Sequence, residues 1–296
     1  MSERKKNSLK HWMEYILFRI FFALIGLLPV DTASNLGGWL GRTLGPALGI
    51  SRKARKNIAH ALPELSAERR QEILVGMWDN LGRVLFEYPH LPQIVDPAEN
   101  RIVYENEENL KEVMDDPDKG AIFAAGHLSN WEVVPLSAGA RGIPLTIIVR
   151  SPNNRLVAGL VDRIRNFNGV KTTPKGPEAA KTGMRVIRSK SNLGILFDQR
   201  LSDGIRSTLF GKPAETATAH VVMTLGGRAA ILPVESHRTG PGRFRITLHK
   251  PVRLENTGQS KEELIRDGVQ LMNDHLEQWI RNQPEDWLWL HRRFPR

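Results

Sequence analysis

Residues 121–136 read Ala121-Ile122-Phe123-Ala124-Ala125-Gly126-His127-Leu128-Ser129-Asn130-Trp131-Glu132-Val133-Val134-Pro135-Leu136, and their pattern decides the fold. A short apolar run that ends at a glycine suits a buried strand. Val133 onward begins a helix. A strand that passes into a helix through a polar turn is the unit of an α/β sheet, whose functional groups gather at the strand ends. This turn holds His127 and Glu132. An imidazole at a strand end takes a proton from an alcohol near neutral pH, and a carboxylate five residues on orients it and stabilises its charged form. The turn also has a plainer reading. Ser129-Asn130-Trp131-Glu132 fits the S-x-x-E capping box, in which the glutamate only closes the first turn of a helix. The two are compatible if Ser129 caps the helix that holds Glu132 toward His127.

Working outward, apolar runs at 143–149, 193–197, 229–234 and 243–249 predict further strands. Helical stretches near 131–140, 154–167, 177–190 and 215–226 separate them. The alternation predicts an α/β fold with a central, mostly parallel sheet flanked by helices. Upstream, Ile73, Leu74, Met77, Trp78, Leu81, Leu85 and Tyr88 recur at spacings of three and four, predicting a helix over 66–88 that Pro89 and Pro92 stop. Asp115–Gly120 marks a turn before the opening strand. A last helix over 261–281 ends ahead of Pro284.

The net charge is +10 and the pI about 10.0, so the chain favours anionic partners. Residues 1–56 hold ten Lys/Arg against three acidic residues, so most of the excess lies there. It sits beside Tyr15–Val30, an apolar stretch broken by Arg19 and lengthened by Trp12 and Met13. This favours a membrane surface over a nucleic-acid groove. The stretch predicts an N-terminal hydrophobic membrane helix, spanning or interfacial, with a cytoplasmic N-terminus. Arg19 and the lack of an A-x-A site disfavour a cleaved signal peptide. Residues 31–50 are apolar and Gly-rich and precede Arg52-Lys53-Ala54-Arg55-Lys56, as expected of a second interfacial segment; a core helix with a solvated charged end is the alternative. The expected division is thus 1–56, a membrane anchor and interfacial basic region, and 57–296, an α/β catalytic domain.

Three polar clusters fall at predicted strand ends: Gly126-His127 with Glu132, Arg150-Ser151-Pro152-Asn153-Asn154, and Asp198-Gln199-Arg200. Together they would supply a base, its orienter, and cations or amides for an anionic substrate or an oxyanion. Other chemistry is disfavoured. There is no cysteine, no H-E-x-x-H and no histidine at ligand spacing from His127, so no metal is expected. Ser129 lies in no G-x-S-x-G elbow. Gly176–Thr182 lacks the glycine that a phosphate-binding loop needs before its lysine.

These residues resemble the HX4(D/E) acyltransferase superfamily, most closely the lauroyl/myristoyl acyltransferases of lipid A biosynthesis. Supporting segments are Ala54–Pro63, Gly120–His127 with Glu132, Arg150–Asn154, Phe197-Asp198-Gln199 and Leu209–Ala214. The terminal Pro284-Glu285-Asp286-Trp287-Leu288-Trp289-Leu290-His291-Arg292-Arg293-Phe294 is also similar to the family's ending. The resemblance implies an O-acyltransferase at the inner membrane, its catalytic domain facing the cytoplasm. It would move a fatty acyl group from acyl carrier protein to a hydroxyl on a Kdo-bearing lipid A precursor, without cofactor or nucleic acid. It implies that His127 is the general base and Glu132 orients it, and that Arg150, Asn153, Asp198, Gln199, Arg200 and His291 bind substrate. A phosphatidylinositol mannoside or other glycolipid acyltransferase is the near alternative. A non-catalytic, membrane-docked lipid-binding protein is the alternative of another class.

Overall fold

The computed structural model describes residues 8–116, 119–254 and 258–295. Five helices come first: α1 (Leu9–Gly26), α2 (Val30–Leu44), α3 (Ser51–Ala61), α4 (Ala67–Glu87) and the single turn α5 (Leu91–Ile94). Then follow β1 (Ile102–Glu105), α6 (Glu107–Met114), β2 (Gly120–Ala125), α7 (Val133–Ala140), β3 (Leu145–Val149) and α8 (Arg155–Arg165). Next are β4 (Lys171–Pro174), α9 (Pro177–Arg188), β5 (Asn192–Leu196), β6 (Arg200–Leu209), β7 (Lys212–Thr216) and α10 (Ala219–Val222). The described elements close with β8 (Ala229–Gly240), β9 (Arg243–Leu248) and α11 (Lys261–Asn282).

Seven strands form one sheet in the order β1-β9-β8-β2-β5-β3-β4. The run from β8 to β4 is parallel throughout, and β9 reverses direction against β8. The α/β class with a mostly parallel, helix-flanked sheet is therefore present. Every residue of β2 is buried, because helices cover both faces. Ile122 and Ala124 join a core with Met272, Leu276 and Trp279 of α11, and Ala121 and Phe123 join one with Val133 and Leu136 of α7.

Residues 215–226 do not form the expected helix. Lys212–Thr216 pairs with β6 as an antiparallel hairpin, and only Ala219–Val222 is helical beyond it. The hairpin turns through Phe210 and Gly211, both with positive φ (54° and 65°), as a two-residue turn matching the strand twist requires. Phenylalanine is not a residue that announces such a turn. The short edge strands β1 and β4 and the helix α6 were not expected either. The Asp115–Gly120 turn includes residues 117–118, which lie outside the described residues, as do Arg4, Lys5 and Lys6 of the basic N-terminus.

Among the described residues no helix is long and apolar enough to cross a membrane. The expected spanning helix is thus unsupported: α1 is an 18-residue helix interrupted by Glu14 and Arg19, about 27 Å long. It buries only Ile25 and leaves Trp12, Met13, Ile16, Leu17, Ile20 and Leu24 exposed. The Gly-rich segment forms α2, packed on α4 at backbone distance. A Cβ on Gly41 would lie 2.0 Å from the Trp78 carbonyl oxygen, and one on Gly82 2.1 Å from that of Gly37. Gly37, Gly41 and Gly82 therefore admit no side chain, while Leu36 and Trp39 on the far side of α2 and Leu44 at its end stay exposed.

Candidate active site

The C-terminal edges of β2, β3 and β5 converge on one cavity of about 500 Å³. Its mouth carries His127, Arg150, Lys175, Gln199, Arg200 and His291. Its wall is apolar, with Phe123, Val134, Leu145 and Ile147 on one face of the sheet and Ile195 and Met223 on the other. Neighbouring strand residues point to opposite faces, so the cavity wraps around the strand ends. A volume of this size suits a small or chain-like ligand.

His127 leaves β2 and meets Asp198, which leaves the adjacent β5. The imidazole Nδ1 lies 2.7 Å from Asp198 Oδ1, and the His127 backbone N–H donates to Oδ2 at 3.0 Å. Trp287 Nε1 donates to that same Oδ2 at 2.8 Å. Burial of Asp198 opposes its ionisation, but the His127 charge and hydrogen bonds outweigh it and hold the carboxyl well below its ordinary range. An ionised Asp198 only accepts, so Nδ1 is the donor to it, and in the neutral form of the ring the lone pair lies on Nε2.

Gln199 faces that lone pair. Its amide nitrogen lies 3.3 Å from Nε2 of His127 and 3.3 Å from Nε2 of His291, while Lys175 Nζ donates to its oxygen at 3.2 Å. The lysine fixes the amide's orientation, since the flipped amide would set its donor against a cation. The two imidazoles stand edge to face at 4.6 Å. Burial, and next the His127 charge, push His291 down to about 4, so it remains neutral.

Glu132 has different partners from those expected. Both of its oxygens accept from Arg165 at the end of α8, one at 3.0 Å from Nε, the other from Nη2. The described hydrogen bonds of the His127 ring go to Asp198 and Gln199 instead. Burial tends to lower the Arg165 pKa, but the Glu132 hydrogen bonds and charge raise it above its ordinary value. Arg165 Nη1 is buried without a partner, and both Glu132 and Arg165 line the cavity.

No capping box forms at Ser129. Its φ is +52°, its hydroxyl has no partner, and the N-cap of α7 is Glu132 without a side-chain cap bond. The turn is built otherwise. Asn130 Oδ1 accepts from the Glu132 N–H at 3.2 Å, and Asn130 Nδ2 donates to the buried Glu87 at 2.9 Å.

The segment after α11 folds over this turn. Leu288 N–H donates to the His127 carbonyl at 3.0 Å, and Ser129 N–H to that of Asp286 at 2.8 Å. Asn57 of α3 donates to the Trp289 and His291 carbonyls, which holds the segment down.

Of the expected site residues, the structure brings His127, Glu132, Arg150, Asp198, Gln199, Arg200 and His291 to this cavity or its polar floor. Asn153 is exposed and contributes nothing to the wall; Asn154 is buried, caps α8 and donates to the His11 carbonyl of α1. Arg200 is ion-paired with Glu215. Sequence reasoning did not single out Arg165, Lys175 or Trp287. Trp287 stood within the terminal motif, whereas Arg165 looks like any other arginine of an amphipathic helix. Among the described residues no group of three or more His, Asp or Glu could hold a metal ion.

The family model described as "Bacterial lipid A biosynthesis acyltransferase" matches residues 2–296. No curated protein sequence matches the chain. The chain belongs to the bacterial lipid A biosynthesis acyltransferase family.

Proposed function

Within that family, we propose that this chain transfers a fatty acyl group from acyl carrier protein to a hydroxyl on an acyl chain of a Kdo-bearing lipid A precursor, at the inner membrane with the catalytic domain on the cytoplasmic side. One observation carries the reading: a histidine whose Nδ1 is held by a buried aspartate, with its Nε2 turned to Gln199, lines an apolar cavity. The hydroxyl binds at Nε2 of His127, its oxygen attacks the thioester carbonyl carbon, and its proton passes to Nε2. The tetrahedral intermediate expels the thiolate, which takes that proton back, leaving an ester and a free thiol. Asp198 holds the ring and stabilises its cation, as in hydrolase triads. Glu132 fixes Arg165, whose partnerless Nη1 would meet the phosphorylated acceptor.

The apolar faces of α1 and α2 support membrane docking as interfacial helices. Cations at the mouth suit both an acidic carrier protein and an anionic glycolipid.

The test is mass spectrometry of products. Purified protein is given acyl carrier protein loaded with C12 or C14 chains and a tetraacylated Kdo-bearing precursor. The expected product is heavier by one acyl group, and H127A loses it by roughly 10²–10⁴-fold. Wild type that forms no more product than H127A, or that binds both substrates without turnover, sinks the reading.

A further inference from the structure

We propose that Gln199 is a catalytic residue, the hydrogen-bond donor to the thioester oxyanion, and that Lys175 is the positioning residue that holds it to this task. The inference rests on the acyl-transfer reading above.

Three contacts carry it. The Gln199 amide nitrogen sits 3.3 Å from Nε2 of His127, which is the nitrogen that must receive the hydroxyl proton. A hydroxyl entering there displaces the amide from the imidazole. The displaced N–H donors then stand beside the carbonyl carbon under attack, where an oxyanion donor belongs. His291 Nε2, also 3.3 Å from the amide nitrogen, belongs to a neutral imidazole, which in its Nδ1–H tautomer accepts the amide's other hydrogen. The oxygen end of the amide is tied to Lys175 Nζ at 3.2 Å. That cation prevents a flip, which would turn an oxygen lone pair toward the oxyanion, and it polarises the amide so that its N–H groups donate more strongly.

The other cations at the mouth are less suited. Arg200 is committed to Glu215 and Arg165 to Glu132, and Arg150 makes no described hydrogen bond to His127. Among the described residues, Gln199 alone shares a hydrogen-bonded contact with the base nitrogen. In the step itself, the carbonyl π electrons move onto oxygen as the C–O bond forms, and Gln199 N–H stabilises that charge. When the oxyanion collapses, the C=O bond returns, the C–S bond breaks, and the thiolate takes the proton from His127.

The experiment is steady-state acyl transfer with Q199L, Q199E, K175M and the double variant K175M/Q199L. Q199L and Q199E are expected to lose roughly 10²–10³-fold in kcat, with KM little changed. K175M is expected to lose roughly tenfold, the scale of one hydrogen bond to a charged group. In the Q199L background K175M should add nothing, because Lys175 acts through the amide. Thermal melting of each variant within a few degrees of wild type excludes unfolding as the cause. Wild-type kcat in both Gln199 variants overturns the proposal while leaving acyl transfer standing. Additive losses in the double variant overturn the role given to Lys175. Wild type without acyl transfer would bring down the underlying reading as well.

Discussion

Asp198 Oδ1 lies 2.7 Å from His127 Nδ1, although 71 residues separate the two in the chain. They meet because β2 and β5 are neighbours in the sheet and run parallel, so their C-terminal ends release both side chains at one point. Asp198, not the nearby Glu132, is thus in position to orient the imidazole. D198N should reverse the ring tautomer and lower kcat by roughly 10³–10⁴-fold. E132Q should lower it less, and leave Arg165 with an unpaired charge at a cost of about 3 kcal/mol in stability. Parallel kinetics and melting of the two variants decide between them. An E132Q loss as deep as that of D198N, with unchanged melting, would return the orienting role to Glu132.

The contact of α2 with α4 leaves no room for a methyl group. G41A would place its Cβ 2.0 Å from the Trp78 carbonyl oxygen, and the helices must separate to admit it. A loss of about 3 kcal/mol is expected in urea denaturation. G49A, where nothing lies within 4 Å, is the control and should stay close to wild type.

His220 gives the fold a particular acid sensitivity. It is buried, its Nε2 has no partner, and burial pushes its pKa down to about 4. The folded state therefore binds fewer protons than the unfolded state below pH 6.5. Its contribution is intact above pH 6.5 and is lost as pH falls toward 4, about 3 kcal/mol in all. H220F should flatten the decline of stability across that window. Equal pH dependence in wild type and variant would show that His220 is not its source.

The membrane docking proposed above would use the outward apolar side of α1. I16E, I20E and L24E combined place three carboxylates at positions 51%, 50% and 60% exposed, so the fold should tolerate them. Flotation with anionic phospholipid vesicles is expected to show at least a tenfold weaker association, while melting stays unchanged. Undiminished flotation would mean that another surface meets the lipid.

The parallel sheet was legible because its central strands are continuous apolar runs, as strands covered on both faces must be. The three polar strand ends were legible for the same reason, since each follows such a run directly. What escaped depends on contacts across the chain. Glu132 looked like the partner of His127 because only five residues separate them, whereas the sheet order that delivers Asp198 has no local signature. The hairpin of β6 and β7 was hidden because residues 214–224 mix the helix formers Ala, Glu and Met with the β-branched Thr and Val, and the turn at Phe210-Gly211 lacks the usual asparagine. The glycines of α2 suggested lipid; they mark a helix that meets α4 at backbone distance.

The fastening of Trp287 to Asp198 and of Leu288 to His127 has a consequence for how the protein acquires its activity. Three stretches far apart in sequence must be in register before the base, its orienter and their indole prop coexist. Contacts of such long separation close late in folding. Turnover is therefore a reporter of the finished chain trace: on refolding from denaturant, helical signal should return before acyl transfer, and partly assembled molecules should be catalytically silent.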